Sequence, residues 1–264
     1  MKELFIITGA TGGMGQDAAR YFCKKGKLLL LDLSLEELEN VQNKLNADID
    51  ILKFDITSLY DINEVVNYVK DFGGFNYLLH FAGISGSMGS CESIYRINLI
   101  GTKLLLDSLY DYVRPEGVII NTSSMAGHIT PIDDDIMTLI KEPLKKTFLK
   151  EILKQTKVPN QAYGWSKKGV IELSKMEGAK WGMKKARIIS ISPGAIQTPM
   201  LTEEMKTNQD AINQLIDTTP MKRIGTTKDI INLVAFLISN KSSFITGTDI
   251  LIDGGATEVF IKYQ

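Results

Sequence analysis

The sequence predicts a single α/β domain wound on both faces of a parallel sheet, and three observations predict it. Short, nearly continuous Leu/Ile/Val runs alternate with longer amphipathic segments, the pattern of βα units around such a sheet. A glycine-rich turn, Thr8-Gly9-Ala10-Thr11-Gly12-Gly13-Met14-Gly15, follows the first apolar run. The chain has 264 residues, 44% hydrophobic and 23% charged, enough for one substantial core and ordinary for a globular domain. No repeat, low-complexity tract or linker divides it, so residues 1–264 read as one domain.

Strands are expected at 4–8, 27–31, 50–54, 76–81, 117–121, 186–192 and 248–252. Each is apolar almost throughout, as a strand buried on both faces must be. Helices are expected between them, at 13–24, 34–45, 58–70, 92–113, 161–181 and 227–239. Residues 130–160 break this rhythm. They open with Asp133-Asp134-Asp135 and close with Lys141, Lys145, Lys146, Lys150, Lys154 and Lys157, a polarity that suits the helix macrodipole. Leu139, Ile140, Leu144, Phe148, Leu149, Ile152 and Leu153 recur at three-four spacing and give one apolar face. Pro143 should divide the stretch into two helices.

Composition excludes several classes. Lys+Arg 30 against Asp+Glu 31 gives a formal net charge of −1, so no global field favours nucleic acid or an anionic membrane. Cys23 and Cys91 are too few for a disulfide framework, lie in no metal-ligand spacing and suit the cytoplasm. The apolar run after Met1-Lys2-Glu3 is too short for a signal peptide, and no stretch approaches the roughly 20 apolar residues of a membrane helix.

The glycine turn sits between the first strand and a helix. There Gly9, Gly13 and Gly15 let the backbone turn sharply and approach a pyrophosphate, and the helix offers free N–H groups to it. Thr8, Thr11 and Met14 belong to the same candidate site. Asp32 ends the second strand 17 residues after Gly15. A carboxylate there accepts hydrogen bonds from ribose hydroxyls and repels a 2′-phosphate, which points to NAD rather than NADP. The competing role for Asp32 is a helix N-cap. Asp55, with Ile56 beside it, follows the third strand and is placed to meet the adenine.

Tyr163 and Lys167 stand at i and i+4 and so share a helix face. An ammonium group beside a phenol favours phenolate, bringing its titration from about 10 toward neutrality, where it can exchange a proton with a substrate oxygen. Ser124, just past the fifth strand, can donate to a developing alkoxide, with Ser123 competing for the role. Asn98 sits mid-helix, where its propensity is poor, which suggests a task.

These residues together resemble the short-chain dehydrogenase/reductase family over almost the whole chain. The matching motifs are Thr8-Gly9 with Gly13 and Gly15, Asp55, Ala82-Gly83, Asn98, Ser124, Tyr163 with Lys167, and Pro193-Gly194. The resemblance implies a Rossmann-type seven-stranded sheet and a tetrad in which Asn98 carries a proton relay, Ser124 positions substrate, Tyr163 is the acid/base and Lys167 orients ribose. It also implies that Ile196 and Thr198 touch the nicotinamide carboxamide. Two departures stand out. His80-Phe81-Ala82-Gly83 replaces the family's Asn-Asn-Ala-Gly, and His80 reads as a packed core histidine. Ser124 and Tyr163 lie 39 positions apart, where most of the family has about a dozen. A subgroup with such an insertion is the bacterial 3α-hydroxysteroid dehydrogenase/carbonyl reductases. That resemblance implies an NAD-dependent enzyme of 3α-hydroxysteroids or bile acids, with residues 141–157 mediating assembly into a dimer or tetramer.

On the substrate side, Met200, Leu201, Met205, Ile212, Leu215, Ile216 and Met221 make residues 198–221 apolar, suited to a greasy alcohol or ketone, although each could instead pack on the sheet. His128 could line the pocket or sit on a surface loop. Three other readings remain open: a dehydrogenase of smaller alcohols, a non-catalytic NAD-sensing regulator, and a reductase of acyl-carrier thioesters, against which Asp32 speaks.

Overall fold

The structure is a computed structural model and describes residues 2–198, 201, 213 and 216–262. Seven strands form one parallel sheet: β1 (Leu4–Thr8), β2 (Lys27–Asp32), β3 (Ile49–Lys53), β4 (Phe75–His80), β5 (Val113–Thr122), β6 (Arg187–Pro193) and, after two short strands described below, β9 (Thr248–Ile252). Their order is β3-β2-β1-β4-β5-β6-β9, so the winding reverses between β1 and β4 and a crevice opens there beyond the strand ends. Alternate residues of each strand feed two separate cores. Phe5 and Ile7 pack with Leu28, Leu30 and Phe22 on one face, while Leu4 and Ile6 pack with Leu29, Leu31 and Trp181 on the other.

The helices are α1 (Gly13–Phe22), α2 (Leu35–Asn43), α3 (Leu59–Asp71), α4 (Cys91–Tyr95), α5 (Thr102–Leu109), α6 (Ala126–Ile129), α7 (Asp134–Lys141), α8 (Phe148–Gln155), α9 (Pro159–Met183), α10 (Thr227–Leu237) and α11 (Ala256–Lys262). Ser34, Ser58 and Ser90 cap α2, α3 and α4 through their side chains, and Thr226 with Asp229 forms a capping box on α10. These caps move the expected starts of α2 and α3 one residue inward, because a capping residue stands outside the helix it begins. Two short strands, β7 (Ile196–Gln197) and β8 (Gly225–Thr226), pair beside the sheet.

Two features depart from the sequence-based expectation. The helix expected over 92–113 is not uniform: α4 passes into a π-helical stretch, Arg96–Gly101, before α5 resumes. The strand expected at 117–121 begins at Val113, because β5 carries an irregularity against β4: Val113 pairs with Phe75, and pairing resumes with Val118 opposite Tyr77. Within it Glu116 has φ 65°, a left-handed value that no apolar pattern announces.

The insertion is two helices, divided at Pro143 as expected. Asp133 caps α7 by accepting from the N–H of Ile136, with Asp134 and Asp135 in the first turn. The apolar stripe faces inward, where Ile136, Ile140, Phe148 and Ile152 join Ile94, Tyr95, Leu99, Trp165 and Leu173 in a third core cluster. Tyr95 meets Phe148 edge to face at 5.9 Å and shares a hydrogen bond with Thr156 at 2.8 Å. The stripe is therefore covered within the chain except at Leu144, which is exposed together with Lys145, Lys146, Lys150, Lys154 and Lys157.

Since the insertion shares a core with α4 and α9, it should not melt apart from the rest. Phe148→Ala is expected to cost ~3–5 kcal/mol, the range for truncating a buried aromatic, in a single transition. Urea unfolding followed by tryptophan fluorescence and far-UV circular dichroism would show it, as Trp165 reports on this cluster. A separate early transition would mean that the insertion folds alone.

Candidate active site

Glycines at the turn after β1 are dictated by contact. Gly9 has φ 64°, and a Cβ there would stand 2.8 Å from the Ala82 nitrogen. On Gly15 a Cβ would drive into the Gly9 carbonyl. α1 starts behind Gly12, whose lack of a side chain leaves the first-turn N–H groups without a side-chain cap. A cavity of about 340 Å³ opens over this turn, walled by Gly9, Thr11, Gly13, Met14 and Gly15 and reaching Asp32, Asp55, Ile56, Ala82 and Gly83. Asp32 caps no helix; Ser34 does. One Asp32 oxygen accepts from the Thr11 N–H at 2.9 Å and hydroxyl at 2.8 Å, and the other accepts from the Leu33 N–H at 2.8 Å. Asp55 spends one oxygen on Thr57, at 2.8 Å to its N–H and 2.7 Å to its hydroxyl.

A second cavity, about 280 Å³, adjoins the first, and Met14, Gly83 and Thr198 wall both. Ser124, Tyr163 and Lys167 meet on it, with Pro193, Gly194 and Ile196 opposite. The structure separates the two serines: Ser123 is buried and donates to the Lys167 carbonyl at 2.8 Å, while the Ser124 oxygen accepts the Ala126 N–H at 3.1 Å and so keeps its own hydrogen to donate. Lys167 donates to the Thr122 carbonyl at 2.9 Å and stands 5.8 Å from the centre of the Tyr163 ring. Burial pushes its ammonium down to about 8.

Asn98 is buried within the π-helical stretch. Its side chain accepts the Ile84 N–H at 2.9 Å and donates to the Ile84 carbonyl at 2.9 Å and to Ser166 at 3.2 Å. A Cβ on Gly83 would lie 3.1 Å from the Asn98 oxygen and 3.2 Å from the Lys167 nitrogen, so a side chain there would press on both groups. Thr8 is fully buried behind the cavity wall, where its hydroxyl bonds to His80 rather than facing a ligand. His128 is drawn away from the cavities to the sheet edge, 2.8 Å from Asp249 and 3.2 Å from Ser192. Leu201 walls the second cavity. Met200, Met205, Ile212 and Leu215 lie outside the described residues.

The glycine cradle, the acid at the end of β2 and the adjoining pocket fit a nicotinamide dinucleotide, since a side chain at Gly9 or Gly15 would collide with the chain's own backbone and spoil the turn that floors the cavity. Comparison with known proteins agrees. Residues 3–133 match the family described as short chain dehydrogenase, and residues 148–257 match that described as enoyl-(acyl carrier protein) reductase. The short-chain dehydrogenase/reductase bsc3 of Alternaria brassicicola is 30% identical over 265 residues, covering 97% of this chain and 96% of that protein. A 7alpha-hydroxysteroid dehydrogenase of Bacteroides fragilis is 26% identical over 273 residues, covering 97% of this chain and 95% of that protein. A solved glucose/ribitol dehydrogenase of Brucella melitensis superposes with a TM-score of 0.78 at 27% identity, covering 96% of each chain. The chain belongs to the short-chain dehydrogenase/reductase family, whose members are oxidoreductases of alcohols and ketones that use nicotinamide cofactors. No described helix is long and apolar enough to cross a membrane, and no described acidic, Cys or His side chains cluster as metal ligands.

Lys167 makes the free protein's stability depend on alkaline pH. The unfolded chain holds this proton to about 10.4 and the folded chain releases it near about 8. Folding therefore sheds a proton between those values, so the burial penalty is full below pH 8 and fades as pH rises through the window. Lys167→Met should remove this contribution. The melting-temperature advantage of the variant over wild type is expected to be larger at pH 7.5 than at pH 10, and a pH-independent difference would count against a titrating buried lysine.

Proposed function

We propose that this protein is an NAD-dependent oxidoreductase interconverting an apolar secondary alcohol and its ketone, with 3α-hydroxysteroids or bile acids as the substrate class. The observation that carries the chemistry is the meeting of Ser124, Tyr163 and Lys167 on one pocket that runs into the glycine-turn cavity. When bound, the nicotinamide cofactor accepts or delivers the hydride. The chain's own groups manage the proton and the geometry. Tyr163 exchanges a proton with the substrate oxygen. Ser124 directs its free hydrogen at that oxygen and holds it against the phenol. Lys167, still protonated at pH 7, favours the phenolate that must form. Asn98 holds Ile84, and with it the Gly83 approach between the two cavities.

Asp32 and Asp55, with no lysine or arginine among the described residues that line the first cavity, support NAD, since a 2′-phosphate would meet carboxylates and no described cation. The steroid assignment draws on the insertion and on a hydroxysteroid-acting relative. Smaller alcohols are the second reading, because a sugar-alcohol enzyme shares the fold equally well. We further propose that the chain self-associates as a dimer or tetramer through the outer face of residues 141–157, which carries the exposed Leu144 among its lysines.

Initial rates with NAD and NADP across hydroxysteroids, bile acids and aromatic alcohols test the assignment; activity on small alcohols alone would discard the steroid class. Tyr163→Phe should cut kcat by at least about 10²-fold while NADH affinity stays unchanged. A variant retaining turnover would remove tyrosine from the acid/base role. Asp32→Ala should lower the NAD over NADP preference in kcat/KM by about tenfold or more, in line with loss of one charged hydrogen-bonding partner. An unchanged ratio would detach Asp32 from cofactor choice.

A further inference from the structure

His80 stands where the family motif has asparagine, and its surroundings give it more than a packing role. It ends β4 directly opposite Thr8, which ends β1, and these are the two strands between which the sheet reverses. Its ring is buried and bonded at both nitrogens: Nδ1 lies 2.7 Å from the Thr8 hydroxyl, and Nε2 lies 2.9 Å from the Thr102 hydroxyl.

The direction of every bond follows from proton counting. Thr102 donates its single hydroxyl hydrogen to the Asn98 carbonyl at 2.8 Å, because a carbonyl can only accept. Its oxygen must then accept from His80, which places the ring proton on Nε2. Nδ1 is bare and accepts from the Thr8 hydroxyl. The Thr8 oxygen in turn accepts the Ala82 N–H at 3.1 Å. One neutral tautomer satisfies the whole series. Burial and the nearby Lys167 charge push the imidazolium down to about 3, so the neutral form persists.

The two ends of this series fall on different parts of the site. One end fixes Thr8 and Ala82, the backbone that a Cβ on Gly9 would meet at 2.8 Å. The other fixes the Asn98 backbone inside the π-helical stretch, where ordinary helical hydrogen bonding is displaced. Asparagine could not serve both ends, because its amide is too short to span from Thr8 to Thr102. We infer that His80 is a positioning residue that sets the dinucleotide turn through Nδ1 and the Asn98 segment through Nε2, coupling two halves of the site across the sheet's point of reversal. This rests on the function proposed above.

The arms can be cut separately. In His80→Asn the side-chain oxygen can replace Nδ1 and reach Thr8, while nothing reaches Thr102. In His80→Gln the side-chain nitrogen can replace Nε2, while Thr8 loses its acceptor. His80→Asn should keep NADH affinity, read by fluorescence titration, within about twofold and lower kcat about tenfold; His80→Gln should do the reverse, as loss of one buried hydrogen bond predicts. Turnover is read with a 3α-hydroxysteroid, or with a small secondary alcohol where the steroid is not used. Equal effects of the two variants on both constants, or thermal destabilisation with neither constant changed, would overturn the inference and leave a structural histidine. A variant that fails to fold leaves wild type to decide. With ¹⁵N-histidine the chain shows two imidazoles, His80 and His128. The one lost in His80→Gln, or in wild type the one left once His128→Asn has identified the other, should hold the Nε2–H pattern from pH 5 to 9. A titrating pair, or an Nδ1–H pattern in the buried ring, would refute the bond directions. Absent turnover in wild type would refute the proposed function alone, because affinity and tautomer are still read.

Discussion

The pairing of β1 with β4 is the constraint on which the site depends. Parallel strands cannot be joined by tight turns, so each must hand its chain to a crossover on one face or the other. Here β1 sends its chain to one side and β4 begins the winding on the other, and the loops part above Thr8 and His80. A crevice at that place costs the fold nothing, because the loops there are not required to pack against each other. Glycine at 9 and 15 then lets the backbone sink to its floor. The chemistry of the pocket is laid over a gap that the topology had already left.

The second constraint is a buried cation. Lys167 sits inside the protein with its ammonium on a backbone carbonyl rather than a carboxylate. A carboxylate partner would neutralise the field that a phenol needs; a carbonyl orients the lysine and leaves its charge to act on its surroundings. Burial, with the same charge adding to it, holds His80 neutral. The polar interior near the tetrad is therefore arranged around one uncompensated proton, in contrast to the paired lysines outside it, such as Lys103 and Lys180, each of which meets Asp107 and Glu177.

Most of the architecture was legible because buried parallel strands leave so plain an apolar signature. All seven main strands are where that signature puts them, apart from the early start of β5, and the insertion divides at Pro143. What the sequence concealed was consistently a matter of direction or partner. The spacing of Ile140, Phe148 and Ile152 announces an apolar face but not that α4 and α9 will cover it. Ser123 and Ser124 are indistinguishable in the chain and opposite in space. Thr8 lies in the right motif, yet its hydroxyl turns inward. The π-helical stretch at Asn98 has no local composition to betray it, since it is held by bonds to Ile84, Ser166 and Thr102 from distant or later segments. Poor helix propensity at Asn98 was the single clue.

The entrance to α9 carries one more consequence. Gly164, next to Tyr163, faces Thr130 so closely that no side chain would fit, and Trp165 donates to the Pro131 carbonyl at 2.8 Å. The point where the chain departs into the insertion is thus fastened to the helix on which it returns. Whatever lies between these two moorings can be lengthened or exchanged without dragging Tyr163, provided the replacement supplies an apolar stripe for α4 and α9. The segment is in effect an interchangeable outer wall, through which such a scaffold can acquire new neighbours while its reacting groups stay put.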